Sequence, residues 1–110
     1  MAFEDLKTAA QAHGEAEYAK ALAQGFGPMQ SELIAAMEQR VYMSGWLWEQ
    51  LAALDASSTA AQVAAVVALY PHIIETATGS DRDGCERALV EAMARVQGVA
   101  PDFGDWEVYA

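Results

Sequence analysis

The sequence predicts an all-α protein, a compact bundle of four to five helices with an irregular acidic-aromatic C-terminal tail. Hydrophobic residues make up 54% of the 110 residues, and they recur with the period of a helix, not with the alternation of a strand. Glycine, proline and short polar runs divide the chain into segments of helical length. A chain of this length has room for one domain with one core. We therefore expect residues 1–98 to form the bundle and residues 99–110 to form a tail that packs on it or docks a partner.

The first helix is predicted over about residues 3–23. Its expected inward positions recur three or four residues apart: Phe3, Leu6, Ala10, His13 or Ala16, Ala19 and Leu22. The run of residues 25–27, which contains two glycines, ends this helix. Pro28 suits the first position of the next helix, because its missing N–H would have no helical partner there.

The second helix, over about residues 28–54, has the clearest apolar pattern in the chain. A seam with alternating spacings of three and four is formed by Ile34, Met37, Val41, Ser44, Trp48 and Leu51, and widened by Leu33, Leu47 and Leu54. Such a stripe is typical of a core-facing helix in a bundle. Ser44 and Gly45 are small, so we expect another backbone to approach the middle of this helix closely.

A third helical segment follows a polar break at residues 55–58. Thr59 and Gln62 have the spacing of a capping box, in which each side chain bonds the other residue's backbone N–H. Pro71 should kink or restart the helix, because it lacks a donor and clashes with the preceding turn. The segment is then expected to continue to Thr78.

The fourth helix is predicted over about residues 81–97. Its inward residues are Cys85, Leu89, Ala92, Met93 and Val96, and its outward residues are Arg82, Glu86, Arg87, Glu91 and Arg95. Acidic residues in the first turn and a basic residue in the last turn suit the helix dipole. Gly98 is a favourable C-terminal cap.

Charge restricts the kind of partner. The chain has 16 acidic and 6 basic residues, a formal net charge of −10, and the few basic residues are scattered. This composition disfavours direct nucleic-acid binding, which needs a basic patch. It favours attraction to a positively charged protein.

The sequence also predicts a cytoplasmic protein that does not associate with a membrane. The first residues lack the basic and apolar regions of a signal peptide, and the single cysteine, Cys85, cannot form an internal disulfide. The most apolar stretch, residues 60–74, is too short to span a bilayer and contains Pro71 and His72. The alanine bias and the lack of asparagine favour a GC-rich bacterial or phage gene.

The sequence contains only incomplete motifs for metal binding. Residues 79–90 resemble a calcium loop only in part, since Gly79 and Val90 stand where carboxylates are needed. His13 and Glu17 lie one helical turn apart, as do His72 and Glu75, but the Glu-x-x-His pattern of di-iron bundles is absent. We expect no metal and no cofactor. Cys85 is expected to be a packed, inert residue because nearby acidic residues oppose a thiolate.

Two groups of aromatic residues are the candidate partner-binding sites. The first is Tyr42, Met43 and Trp46, and the second is Phe103, Trp106 and Tyr109. Both are rich in the side chains that dominate interface hot spots. The alternative for the first group is a central helix packed on both sides, and for the second a tail folded back over the bundle.

The sequence therefore favours a non-enzymatic protein–protein interaction module: an adaptor, an inhibitor or an assembly subunit. No Ser/His/Asp set, glycine-rich phosphate loop or paired carboxylates follow from the spacing. A homodimer is plausible because residues 60–68 are small and apolar. One alternative is an acidic decoy that inhibits a nucleic-acid-binding protein. A second is a bundle that binds a metal or a small molecule, with Trp48, Tyr70 and His72 as pocket walls.

Overall fold

A computed structural model describes residues 2–103 of the chain, and within this range the protein is all-helical, with no β-strand. The four helices are α1 (Phe3–Ala23), α2 (Pro28–Ala52), α3 (Ala60–Ile74) and α4 (Gly79–Gln97). This confirms the all-α prediction. Most of the predicted tail, from residue 104 on, lies outside the described residues.

The first two helices form a hairpin closed by a short turn at Gly25, whose φ of +96° favours glycine. Gly14 is buried in α1, and a Cβ at that position would lie 2.6 Å from Cγ of Gln39 in α2. The absence of a side chain at Gly14 therefore lets α2 approach α1 closely. Leu6 and Ala10 are buried as predicted, whereas Ala19 and Leu22 are exposed and Ala21 is buried.

The second half of α2 carries the core, which α3 and α4 cover. The buried cluster consists of Leu6, Ala10, Met43, Leu47, Leu51, Leu54, Val66, Leu69, Ile73, Cys85, Ala88 and Ala92. The Sγ atom of Cys85 lies 3.7 Å from the carbonyl oxygen of Ser44, and Arg95 donates hydrogen bonds to the carbonyls of Leu51 and Leu54. These contacts show that α4 runs parallel to α2, beside its residues 44–54.

The capping signals of the sequence are present at α3 and α4. The Thr59 hydroxyl accepts from the N–H of Gln62 at 3.1 Å, and the Gln62 side chain accepts from the N–H of Thr59 at 2.8 Å. Gly98 caps α4 with a φ of +70°. By contrast, α3 runs through Pro71 and ends at Ile74, short of Thr78. Pro71 stands in the last turn of α3, where it removes one helical hydrogen bond, and the helix ends three residues after it.

The expectation for Gly45 was wrong. Ser44 is buried against α4, but Gly45 is exposed, and a Cβ there would have no atom within 4 Å. Helices α2 and α4 meet at Ser44. The next residue of α2, Gly45, points about 100° away from that contact.

The molecule is elongated. Its Cα radius of gyration is 16.4 Å, compared with roughly 13 Å for a globular chain of this length. The hairpin is longer than the layer that α3 and α4 form on it, so the N-terminal half of α2 extends beyond that layer. Within residues 2–103, no helix is both long enough and apolar enough to cross a membrane.

An open apolar face on the second helix

Large apolar side chains are exposed along the N-terminal half of α2. Met29 is 78% exposed and Leu33 is 67% exposed, and Met37 and Val41 are exposed as well. These four residues follow one another at intervals of four, so they lie along one side of the helix. We call Met29, Leu33, Met37 and Val41 the open face.

The open face continues directly into the hydrophobic core. Leu47 and Leu51 stand five helical turns after Met29 and Leu33, and therefore point in the same direction. Both leucines are fully buried. One apolar stripe thus runs along α2, buried where α3 and α4 cover it and open where they do not.

This arrangement corrects the predicted seam. Met37, Val41 and Trp48 are exposed, whereas the sequence pattern assigned them to the core. Periodicity identifies an apolar face but does not show how far the neighbouring helices extend over it. Because α4 lies beside residues 44–54, it does not reach Met37 and Val41, whereas Trp48 lies against Gly84 of α4 and is still 51% exposed.

Charged residues flank the open face. Glu32, Ala36 and Arg40 follow one edge at intervals of four, and all three are exposed. Neither Glu32 nor Arg40 has an ion-pair partner within residues 2–103. At the hairpin end of the face, Pro28, Met29 and Leu33 line a shallow depression. An apolar strip with a charged rim is the usual anatomy of a protein-binding surface.

The predicted residues Tyr42, Met43 and Trp46 do not form one exposed patch. Only Tyr42 is exposed, and its ring packs 5.3 Å from the ring of His13. Met43 is 8% exposed and belongs to the core, and Trp46 is half-buried against it. Met43 and Trp46 thus lie on the packed side of α2, and a binding role for them stays a prediction. A binding role for Tyr42 stays a prediction.

The second predicted group is only partly described. Phe103 is half-buried, and the guanidinium carbon of Arg87 lies 4.4 Å from the centre of its ring. This cation–π contact places the start of the tail against α4. Trp106 and Tyr109 lie outside the described residues, so their role in docking stays a prediction.

A histidine and two glutamates meet between α1 and α2. Nε2 of His13 is 3.1 Å from Oε2 of Glu38, and ligand atoms of His13, Glu17 and Glu38 all lie within 4.8 Å of one another. The sequence pointed to His13 and Glu17 but not to Glu38, because the register of the hairpin was unknown. Imidazole and carboxylate are ligands for Zn²⁺ and related divalent ions.

The second histidine pair belongs to a different place. The ring of His72 stacks on Phe3, with 5.1 Å between their centres. Trp48, another proposed pocket wall, lies on Gly84. The two histidines therefore do not meet at one site, and Trp48 and His72 occupy separate contacts.

Cys85 is fully buried in the core. Burial, together with the charges of Asp81 and Glu86, raises the pKa of its thiol above the ordinary value of 9.0. The thiol is therefore protonated at neutral pH, which disfavours a nucleophilic role. Comparison of the chain with protein-family models, curated protein sequences and solved structures finds no match.

Proposed function

We propose that the protein is a non-enzymatic interaction module that docks a protein partner onto the open face of α2. The observation that supports this most directly is the exposure of Met29 and Leu33 on the same side of α2 as the buried Leu47 and Leu51. Complete burial of one such side chain contributes about 1.5–3 kcal/mol. Because the four side chains are between 43% and 78% exposed, covering the whole open face is worth roughly twice that amount, before the entropic cost of association.

The shape of the face favours a helical partner. The stretch from Pro28 to Tyr42 forms about four turns of helix and is roughly 22 Å long. A convex helical ridge packs best against another helix, whose ridges fit between its side chains. The roles that follow are those of an adaptor, an inhibitor or an assembly subunit.

A photo-crosslinking residue in place of Leu33 tests this proposal. The protein is expressed in its native cells, irradiated, and its adducts are identified by mass spectrometry. The matched control carries the same residue in place of Val67, an exposed apolar position of α3 that is 39% exposed. We expect one defined adduct from position 33 and only background from position 67. Equal background from both positions would contradict docking through α2.

Salt separates this proposal from the acidic-decoy alternative. The electrostatic attraction between a chain of net charge −10 and a basic groove falls steeply as the ionic strength rises. Apolar docking on the open face should survive the same change. A complex that forms at low salt and dissociates at moderate salt would favour the decoy.

Metal binding is a second candidate function, supported by the approach of His13, Glu17 and Glu38 to within 4.8 Å. Three protein ligands would leave one position of a tetrahedral Zn²⁺ ion for water or another ligand. Calorimetric titration with Zn²⁺ tests this, with Glu38→Gln to remove one ligand and His72→Asn as the control. Binding of one ion that Glu38→Gln weakens and His72→Asn leaves unchanged would support the site. Equal binding to both variants would exclude it.

A further inference from the structure

The open face of α2 is nearly palindromic. Met29 and Val41 are equidistant from position 35, and so are Leu33 and Met37. Along the flanking edge, Glu32 and Arg40 are equidistant from Ala36. The centre of the apolar row and the centre of the charged row thus differ by only one residue, or about 1.5 Å along the helix.

This symmetry is what a two-fold interface requires. When two identical helices pack antiparallel around a two-fold axis, the same surface of each meets itself. The corresponding edges then face each other with their sequences reversed. A negative side chain on one side of the centre meets a positive side chain that is equally far on the other side.

We propose that the occupant of the open face is a second copy of this chain, packed antiparallel along α2 with the two-fold axis near Ala36. Glu32 of each copy lies opposite Arg40 of the other, which forms two equivalent ion pairs. The apolar side chains of both open faces are buried between them. The inference rests on the proposed function, because it names the partner that docks there.

Three further features of the fold support this arrangement. Arg40 has no ion-pair partner within residues 2–103, although acidic residues far outnumber basic ones in the chain. Ala36 is small, so the two helices can approach closely where the axis passes. Two copies of α2 centred there overlap over residues 28–44, so the overlap contains the whole open face and ends at Ser44, whose carbonyl lies against Cys85 of α4.

The net charge opposes association but does not prevent it. Each chain carries a net charge of −10, so two copies repel each other. Physiological salt screens this repulsion between charges that are more than about 8 Å apart. Apolar burial and the paired charges act at contact. The dimer should therefore form at physiological ionic strength as well as at low ionic strength.

A charge-swap series, measured by sedimentation equilibrium on the full chain, tests the proposal. We expect the wild-type chain to form a dimer. Arg40→Glu or Glu32→Lys alone should weaken dimerisation roughly tenfold or more, because attraction becomes repulsion at two symmetric places. The double variant Glu32→Lys with Arg40→Glu should restore it. Both residues are exposed, so loss of folding does not explain the result.

The control Lys7→Glu changes the net charge as much as Arg40→Glu does, at an exposed position of α1, and should leave the dimer unchanged. Leu33→Asp should give a monomer. A wild-type monomer at all concentrations, or a double variant as weak as the single ones, would overturn the proposal. If position 33 nevertheless crosslinks to a different protein, docking through α2 stands and only the self-pairing is wrong.

Discussion

The indole of Trp48 lies against Gly84, so close that a Cβ at Gly84 would stand 2.6 Å from Cζ3 of the ring. Trp48 is 51% exposed, and one side of its ring covers the backbone of α4 near its N-terminal end. Glycine at this position lets a large aromatic ring from α2 rest on α4. This contact, together with that of Cys85 and Ser44, sets how closely the two helices approach.

Alanine substitution should therefore have different effects at two helical glycines. A Cβ at position 45 would have no neighbour within 4 Å, so Gly45→Ala should stabilise the protein by about 1 kcal/mol through helix propensity. Gly84→Ala gains the same propensity but displaces the Trp48 ring, so its stability gain should be smaller or negative. Urea unfolding measures both, and the tryptophan fluorescence should change more for Gly84→Ala, which displaces the Trp48 ring. Equal stabilisation by the two variants would contradict the close contact.

Arg95 should stabilise the end of α2. Its Nε donates to the carbonyl of Leu54 at 3.0 Å, and an Nη donates to that of Leu51 at 2.9 Å. The carbonyl of Leu51 lies in the last turn of α2, where helical donors run out, and that of Leu54 lies two residues after the helix ends. Replacement of Arg95 by Met should lower the free energy of unfolding by about 1.5–3 kcal/mol, as for hydrogen bonds to charged groups.

The matched control for this change is Arg82→Met. Arg82 is exposed and pairs with Glu86 at 3.1 Å on the same helix. An exposed pair of this kind contributes about 0.3–0.5 kcal/mol. If both substitutions have the same small effect, the Arg95 hydrogen bonds contribute little to stability.

Methionine oxidation should follow exposure and assembly. In the Leu33→Asp variant, dilute peroxide should oxidise Met29 faster than Met43, because Met29 is 78% exposed and Met43 only 8%. In concentrated wild-type protein, Met29 and Met37 should be protected if the open face is covered. Peptide mass spectrometry measures each rate. Equal rates of Met29 oxidation in the two proteins would indicate a face that remains open.

Alkaline pH should destabilise the fold through Cys85. Burial and the neighbouring acidic side chains raise the pKa of its thiol above 9.0 in the folded state. The unfolded chain therefore loses this proton first as the pH rises. The stabilising effect is complete below about pH 9 and is lost as the pH rises through the folded pKa.

Urea unfolding at about pH 7 and about pH 10 measures this loss. In the Cys85→Ala variant the pH dependence should be smaller, although stability is lower at both values because a cavity forms. Burial also raises the pKa of Tyr70, so part of the dependence should remain. An unchanged pH dependence in the variant would show that the thiol is not responsible.

The sequence by itself determined the four helices and several of their ends, although α3 ends at Ile74 and not at the predicted Thr78. Helical periodicity, the Thr59–Gln62 capping box, Pro28 at the start of α2 and Gly98 at the end of α4 are local signals. Each depends on residues within about one turn of one another, so each is readable without knowledge of the fold. The apolar stripe of α2 was readable for the same reason.

Only the tertiary structure decided which part of that stripe is core. Leu33 and Leu51 are the same residue type on the same side of one helix, yet Leu51 is buried and Leu33 is exposed. The difference lies in where α3 ends and α4 begins, and no local pattern contains that information. The same holds for the approach of Glu38 to His13 and of Arg95 to Leu51. These contacts join residues 25 and 44 positions apart, and packing between helices alone sets such distances.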